Sequence, residues 1–245
     1  MGHRFERTDE VELSATPEQV WDAIATGPGI DSWFMGRNEV DPGEGGAVRT
    51  FFGDYLPESP VTAWEPGKRL VHGGAAAPDG RFIAYEFLIE ARDTGSTVLR
   101  MVTSGFLPGD DWEDEFEAMT KGGELFFATL STYLRHFAGR FATPITLFGP
   151  PVADWESAWA NVRAALGLGG TVTAGDTARF TVDGTPIEGV VYCANSQTIG
   201  IRTGDALYRF LQGFHGSLVV GHHLFSAADT AAAEQAWRAW LARLS

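Results

Sequence analysis

The chain has 245 residues, of which 44% are hydrophobic and 20% are charged, with a net charge of −14 at pH 7. This length and apolar content allow one large domain or two small ones, each with a packed core. The acidic balance argues against nucleic acid and anionic membrane surfaces as partners. No apolar run approaches the roughly 20 residues that a membrane-spanning helix needs.

The cellular compartment follows from two further observations. The N-terminus lacks the apolar core of a signal peptide, and Cys193 is the only cysteine, so no internal disulfide can form. Both observations favour a cytoplasmic protein.

The N-terminal segment predicts a strand followed by a helix. Polar and apolar residues alternate from residue 10 to residue 15, which predicts a half-buried strand over Phe5–Leu13. Thr16 offers an N-cap hydroxyl and Pro17 suits the first helical position, so a helix is predicted over Pro17–Thr26. Gly27-Pro28-Gly29 then ends it.

Short β-type segments separated by Gly and Pro come next, followed by one long helix. Strands are predicted at Ala47–Phe52, Val61–Trp64, Arg69–His72, Phe82–Ala91 and Thr97–Phe106. Apolar residues at helical spacing predict a helix over Asp110–Phe137. The pair Gly122-Gly123 interrupts this helix, at about 1 kcal/mol for each glycine relative to Ala.

A second set of elements follows near residue 140, where the composition changes. Residues 1–140 carry 24 acidic side chains and 12 Lys or Arg, whereas residues 141–245 carry 8 and 6. Two domains are therefore predicted, at 1–140 and 141–245. The second would hold helices at Pro151–Leu166 and Ala227–Leu244, and strands at Ala142–Phe148, Arg179–Val182, Ile187–Cys193, Thr198–Arg202, Ala206–Phe214 and Ser217–Phe225.

The order and spacing of several short stretches resemble a known superfamily. The stretches are Ala15–Trp21, Ile30–Trp33, Gly45-Gly46, Val61–Leu70, Tyr85–Ile89 and Gly95–Met101. Over about residues 3–138 the chain resembles the START-like superfamily, also called SRPBCC. Within it, the chain is most similar to the group named for activators of the heat-shock-protein-ninety ATPase.

This resemblance implies an α+β fold in which an antiparallel sheet wraps around a long C-terminal helix, the helix-grip arrangement. The element order of the second half implies a divergent second copy of this fold. The resemblance also implies a pocket between sheet and helix, since many relatives bind hydrophobic small molecules there. Some polyketide aromatase/cyclases share the fold, and the name of the group suggests a chaperone partner. Fold alone does not fix function.

Large apolar side chains of the first domain are candidates for lining such a pocket, since the paired glycines remove volume from the helix face. Tyr85 and Thr103 are the polar members that would orient a ligand. The full candidate set is Trp33, Phe34, Phe51, Trp64, Tyr85, Phe87, Met101, Thr103, Trp112, Phe116, Met119 and Phe127.

Three functions remain open at this point. The first is binding of a hydrophobic or aromatic small molecule. The second is an aromatase/cyclase-like or hydrolytic enzyme, with Arg69, His72, Tyr85 and Arg100 as polar candidates. The third is a chaperone-binding module that uses the acidic surface.

No metal site or cofactor is predicted. The six histidines lack the spacing of a metal site, and the glycine-rich segments 43–46 and 167–170 lack the sequel of a phosphate loop. The acids within Asp110–Glu117 suit the positive end of a helix dipole, and Cys193 suits a buried strand better than a nucleophile.

Overall fold

The computed structural model of this chain describes residues 2–51, 56–74, 76–93, 95–109, 112–213, 216–226 and 229–244. The chain forms two compact units. The first contains residues 1–117 and 130–141, and the second contains residues 118–129 and 142–245. The middle of one long helix is therefore grouped with the second unit. The predicted division at residue 140 stays a prediction.

The first unit is a seven-stranded antiparallel sheet with helices. Its strands are β1 (His3–Leu13), β2 (Arg37–Val40), β3 (Ala47–Phe51), β4 (Glu58–Glu65), β5 (Arg69–Gly73), β6 (Phe82–Ala91) and β7 (Thr97–Leu107). The order across the sheet is β1-β7-β6-β5-β4-β3-β2, so the first and last strands of the unit are neighbours. The helices are α1 (Pro17–Ala25), α2 (Gly27–Ile30) and the long α3 (Trp112–His136).

Local chemistry sets the start of α1. Thr16 accepts a hydrogen bond from the backbone N–H of Gln19 at 3.3 Å, and the side chain of Gln19 accepts one from the N–H of Thr16 at 2.9 Å. This reciprocal capping satisfies two N–H groups that a helix otherwise leaves without partners. Trp33 then fixes the segment after α2, because its indole N–H donates to the carbonyl of Ala23 at 2.9 Å.

The long helix α3 runs through Gly122 without a break. The helix backbone is therefore continuous, contrary to the expected interruption, and the glycine removes only side-chain volume. A Cβ placed on Gly122 would meet nothing within 4 Å, so this position leaves open space. At the C-terminal end, the Tyr133 hydroxyl donates to the carbonyl of Arg140 at 2.9 Å and fastens the chain after the helix.

The second unit repeats this plan. Its strands are β8 (Thr143–Pro151), β9 (Thr177–Val182), β10 (Thr185–Asn195), β11 (Thr198–Arg202), β12 (Ala206–Gln212) and β13 (Ser217–Leu224), in the sheet order β8-β13-β12-β11-β10-β9. As in the first sheet, the first strand pairs with the last. Helices α4 (Trp155–Ala165) and α5 (Thr230–Ala242) complete the unit. The protein is thus an α+β chain of two helix-grip copies, of which the second is divergent.

Several element boundaries differ from the sequence-based expectation. The short β2 and α2 were not predicted, since each has only four residues. Pro151 ends β8 instead of starting a helix, and α4 begins at Trp155 because Asp154 caps it, accepting from the N–H of Glu156 at 3.0 Å. Asp110 and Asp111, predicted to begin the long helix, lie outside the described residues. None of the helices described above is long and apolar enough to cross a membrane.

Candidate functional site

Strand register brings four polar side chains into one line across the first sheet. Arg7 lies opposite Thr103, Thr103 opposite Tyr85, and Tyr85 opposite His72. Directly opposed residues of an antiparallel pair project from the same face of a sheet. We call these four residues, one from each of β1, β7, β6 and β5, the polar row. The face that carries them is called the inner face.

An apolar row lies beside the polar row on the same face. Met101 and Phe87 oppose each other and continue to Leu70 on β5. Phe87 is 2% exposed and Met101 3% exposed. Trp33, which is 5% exposed, packs its ring 6.3 Å from that of Phe87. These buried side chains form an apolar cluster at one end of the inner face.

Aromatic rings also border the opposite end. Phe5 lies over Gly105, where a Cβ would come within 2.6 Å of the Phe5 ring, so only glycine leaves room for this ring. The Phe5 ring meets that of Phe116 at 5.4 Å, and His3 stacks on Trp112 at 3.8 Å. The polar row therefore lies between two aromatic groups.

Asp9 on β1 supplies a carboxylate next to the polar row. Its Oδ1 accepts from Nη2 of Arg7 at 2.8 Å and from Nε at 3.3 Å. Arg7 and Asp9 are two residues apart on one strand, so both project from the inner face. Oδ2 of Asp9 is buried and has no hydrogen-bond partner among the residues described. A buried acceptor of this kind is uncommon in native proteins and calls for a partner.

His72 is the second group of this kind. Its ring lies 5.5 Å from Tyr85 and stacks on Phe87 at 6.0 Å, while its Nδ1 is buried and lacks a partner within the described ranges. Burial lowers the pKa of His72 to about 4, so the imidazole is neutral at pH 7. Burial also raises the pKa of Tyr85, which keeps the phenol protonated.

Two polar candidates from the sequence lie elsewhere. Arg69 donates to Glu86 at 2.7 Å in a half-buried ion pair, and Arg100 donates to Glu10 at 2.6 Å in an exposed one. Both arginines alternate along their strands with residues of the inner face, so they project from the outer face. The four-residue set of the enzyme hypothesis is thus divided: His72 and Tyr85 come together, while Arg69 and Arg100 do not join them.

The remaining candidate residues for the pocket lining lie in different parts of the structure. Phe34 packs edge-on against Trp33 at 5.4 Å, and Trp64 meets Trp21 of α1 at 5.0 Å. Phe51 alternates on β3 with the buried Thr50 and so projects from the other side of that strand. Met119 and Phe127 are half-buried on the part of α3 that is grouped with the second unit.

Sequence reasoning missed Arg7 and Asp9. The alternation that placed Val11 and Leu13 on the buried face of β1 extends backwards to residues 9, 7 and 5, and this was the available signal. Charged residues are rarely buried, and that prior works against assigning them to an inner face.

The corresponding face of the second sheet is filled by side chains. Tyr208 and Phe210 on β12 pack with Trp237 of α5 at 5.5 and 6.0 Å, and His222 lies 4.0 Å from the same indole. All four are buried in one apolar core. On β8, Ile145 and Leu147 join this core, whereas β1 of the first sheet carries charged residues on its inner face. Among the described residues of this core, no polar row is formed.

The opposite face of the second sheet carries a buried arginine. Arg209 is 0% exposed, donates from Nε to the carbonyl of Gly221 at 2.7 Å and lies 5.1 Å from the ring of Phe126. Burial lowers its pKa to about 10. Nearby, the hydroxyl groups of Tyr192 and Thr129 are 2.8 Å apart. Because Thr129 donates its own proton to Leu125 at 2.7 Å, Tyr192 is the donor of this pair.

Within the described part of the chain, no three His, Cys, Asp or Glu side chains form a metal-binding group. Cys193 is half-buried on β10, and burial raises the pKa of its thiol to about 11, which disfavours the nucleophilic thiolate. In the acidic stretch, Glu113 and Asp114 are exposed and Glu115 pairs with Arg81.

Some solved structures match about the first half of the chain, and others match most of the chain. Protein MLL2253 from Mesorhizobium loti is 30% identical, over 52% of this chain and 96% of its own, with a TM-score of 0.43. The Aha1 dimer from Colwellia psychrerythraea is 23% identical over 54% and 96%, with a TM-score of 0.41. The di-domain ARO/CYC BexL from the BE-7585A biosynthetic pathway is 15% identical over 98% and 94%, with a TM-score of 0.46.

A protein-family model settles the assignment of the first half. No curated protein matches the chain. Residues 14–135 match the model described as "Activator of Hsp90 ATPase homolog 1-like protein". This range contains α1, β2 to β7 and nearly all of α3, which are the elements that build the helix-grip sheet and its long helix. Through these residues the chain belongs to the Activator of Hsp90 ATPase homolog 1-like family, within the START-like superfamily.

Proposed function

We propose that the first unit binds a hydrophobic or aromatic small molecule on the inner face of its sheet. One observation carries the proposal. A polar row crosses four strands of an otherwise largely apolar surface, and two buried polar atoms, Nδ1 of His72 within the row and Oδ2 of Asp9 beside it, have no partner among the described residues. Ligand sites combine an apolar lining with a few polar groups of this kind.

The surroundings of the row support an apolar ligand. Phe87 and Trp33 lie at one end, and Phe5 and Phe116 at the other. Aromatic faces and edges stabilise ring-shaped ligands through stacked and edge-to-face contacts. The four residues of the row would then fix the orientation of the bound molecule.

The direct test is to fill the site with a side chain. We expect wild-type protein to bind the neutral fluorescent probe N-phenyl-1-naphthylamine, and Thr103→Trp to weaken this binding at least about tenfold by steric exclusion, equivalent to roughly 1.4 kcal/mol. Ser104→Trp is the matched control, since Ser104 is the next residue of β7 and projects from the outer face. Equal binding by the wild type and both variants would refute the inner face as the site.

An aromatase/cyclase-like enzyme is the second candidate. His72 and Tyr85 support it, because a neutral imidazole and a protonated phenol lie side by side with one imidazole nitrogen unpartnered within the described residues. Such a pair is able to exchange protons with a bound ligand. The test is turnover of a precursor whose product is aromatic. Loss of this turnover in both His72→Gln and Tyr85→Phe, with probe binding retained, would favour the enzyme over a simple binding protein.

A chaperone-regulating module is the third candidate, and the family match supports it. The measurement is the ATPase rate of heat-shock-protein-ninety with and without the full chain. Stimulation that survives Thr103→Trp would place this activity away from the inner face.

A further inference from the structure

The unpartnered oxygen of Asp9 constrains the chemistry of the ligand. An ionised carboxylate has only acceptor sites, so the partner it lacks is a hydrogen-bond donor. Arg7 already occupies Oδ1 with two of its N–H groups, at 2.8 and 3.3 Å. The missing donor must therefore approach Oδ2, which is buried on the inner face.

The surroundings of Asp9 favour an uncharged donor on the ligand. Arg7 forms an ion pair with Asp9 at 2.8 Å, and the groups that face them across β7 and β6 are the uncharged Thr103 and Met101, followed by Tyr85 and Phe87. An ammonium group would bring an uncompensated positive charge into apolar surroundings, and a carboxylate would bring a negative charge next to Asp9. An uncharged donor meets neither penalty, and a hydroxyl group is the simplest such donor on an apolar molecule.

We infer that the ligand is an uncharged, hydroxyl-bearing apolar molecule whose hydroxyl donates a hydrogen bond to Oδ2 of Asp9. The inference rests on the proposed function and refines it. Asp9 selects the hydroxyl, Arg7 holds the carboxylate in place, and Met101 and Phe87 contact the apolar body beside it.

Matched small probes test this selection in the wild-type protein, without any mutation. We expect 2-naphthol to bind about tenfold more tightly than 2-methoxynaphthalene, which has the same ring system but no donor, because only 2-naphthol can donate a hydrogen bond to the charged carboxylate. The anion 2-naphthoate should bind more weakly than either. Quenching of tryptophan fluorescence and calorimetry both report these affinities.

A substitution then locates the preference. In Asp9→Asn the preference for 2-naphthol over 2-methoxynaphthalene should fall to about twofold or less, since the stronger charge-assisted bond is lost. Glu10→Gln is the matched control, because Glu10 is the neighbouring carboxylate on the outer face and pairs with Arg100. The control should keep the wild-type preference.

The outcomes separate the inference from the proposed function. If Thr103→Trp abolishes binding of both naphthalenes but the wild type prefers neither, or prefers 2-naphthoate, the site is real and the inference is wrong. If Asp9→Asn keeps the full preference, Asp9 is not the acceptor. If no probe binds, or if Thr103→Trp changes no affinity, the proposed function itself fails.

Discussion

At the scale of single residues, His72 couples the candidate site to pH. Burial lowers the pKa of this histidine to about 4, from an ordinary value of about 6.5. The unfolded chain therefore takes up a proton that the native state excludes. The corresponding stability is fully present above about pH 6.5 and is lost as the pH falls through this window towards 4.

Replacing His72 should consequently flatten the acid side of the stability profile. Between pH 7 and pH 4.5 the free energy of unfolding of the wild type falls as the unfolded chain takes up this proton. We expect the fall to be about 2 kcal/mol smaller in His72→Gln. Urea titrations at both pH values measure this difference, and the carboxylates common to both proteins cancel. The control is His136→Gln, at an exposed histidine of α3. Parallel profiles for wild type and His72→Gln would show that His72 is protonated freely in the native state.

At the scale of elements, the start of α3 is attached to β1 through aromatic contacts. Phe116 contacts the rings of Phe5 and His3 at 5.4 and 5.5 Å, and Trp112 stacks on His3. Phe116 is half-buried. Its contribution should therefore lie below that of a fully buried phenylalanine, whose truncation to Ala costs about 3–5 kcal/mol.

Truncation of Phe116 measures this attachment. We expect Phe116→Ala to lower the free energy of unfolding by about 1–3 kcal/mol, because part of its ring area already faces solvent. Glu117→Ala is the control, since Glu117 is the next residue of the same helix and is exposed. A melting temperature unchanged in Phe116→Ala would mean that these ring contacts do not hold the helix to the strand.

At the scale of the whole molecule, α3 takes part in both units. Its ends are grouped with the first sheet, and Ala118–Thr129 is grouped with the second. In the second unit, Asn195 donates to Glu124 at 2.8 Å and Tyr192 donates to Thr129. Phe126 meets the guanidinium of Arg209. The middle of α3 therefore packs within the second unit.

A fragment of residues 1–140 tests whether the first unit is autonomous. We propose that it folds, because all seven strands of the first sheet and α3 are retained. It should be less soluble than the full chain, since Phe126 and its neighbours lose the sheet on which they pack. Adding Phe126→Glu should restore solubility to the fragment. A fragment without cooperative thermal unfolding would show that the chain divides differently.

Much of the architecture could be predicted from local signals. The period of two in β6 and β7, the cap at Thr16 and the helical spacing along α3 each involve residues close in the chain. The boundary at Pro151 was missed because both a strand end and a first helical turn tolerate proline. Tyr85, Thr103 and Phe87 could be assigned to one face of the sheet because side chains alternate along each strand.

The amino-acid sequence was enough to predict the type of each long element, the family of residues 14–135 and the apolar character of the inner face. Which polar groups meet on that face depends on the pairing of distant strands. Arg7 and Thr103 are opposed by a pairing of strands about ninety residues apart, and no local pattern encodes the register of such a pair. The burial of Asp9 was likewise decided by long-range packing, because a charged residue in an alternating strand reads as exposed until a partner such as Arg7 is known to share its face.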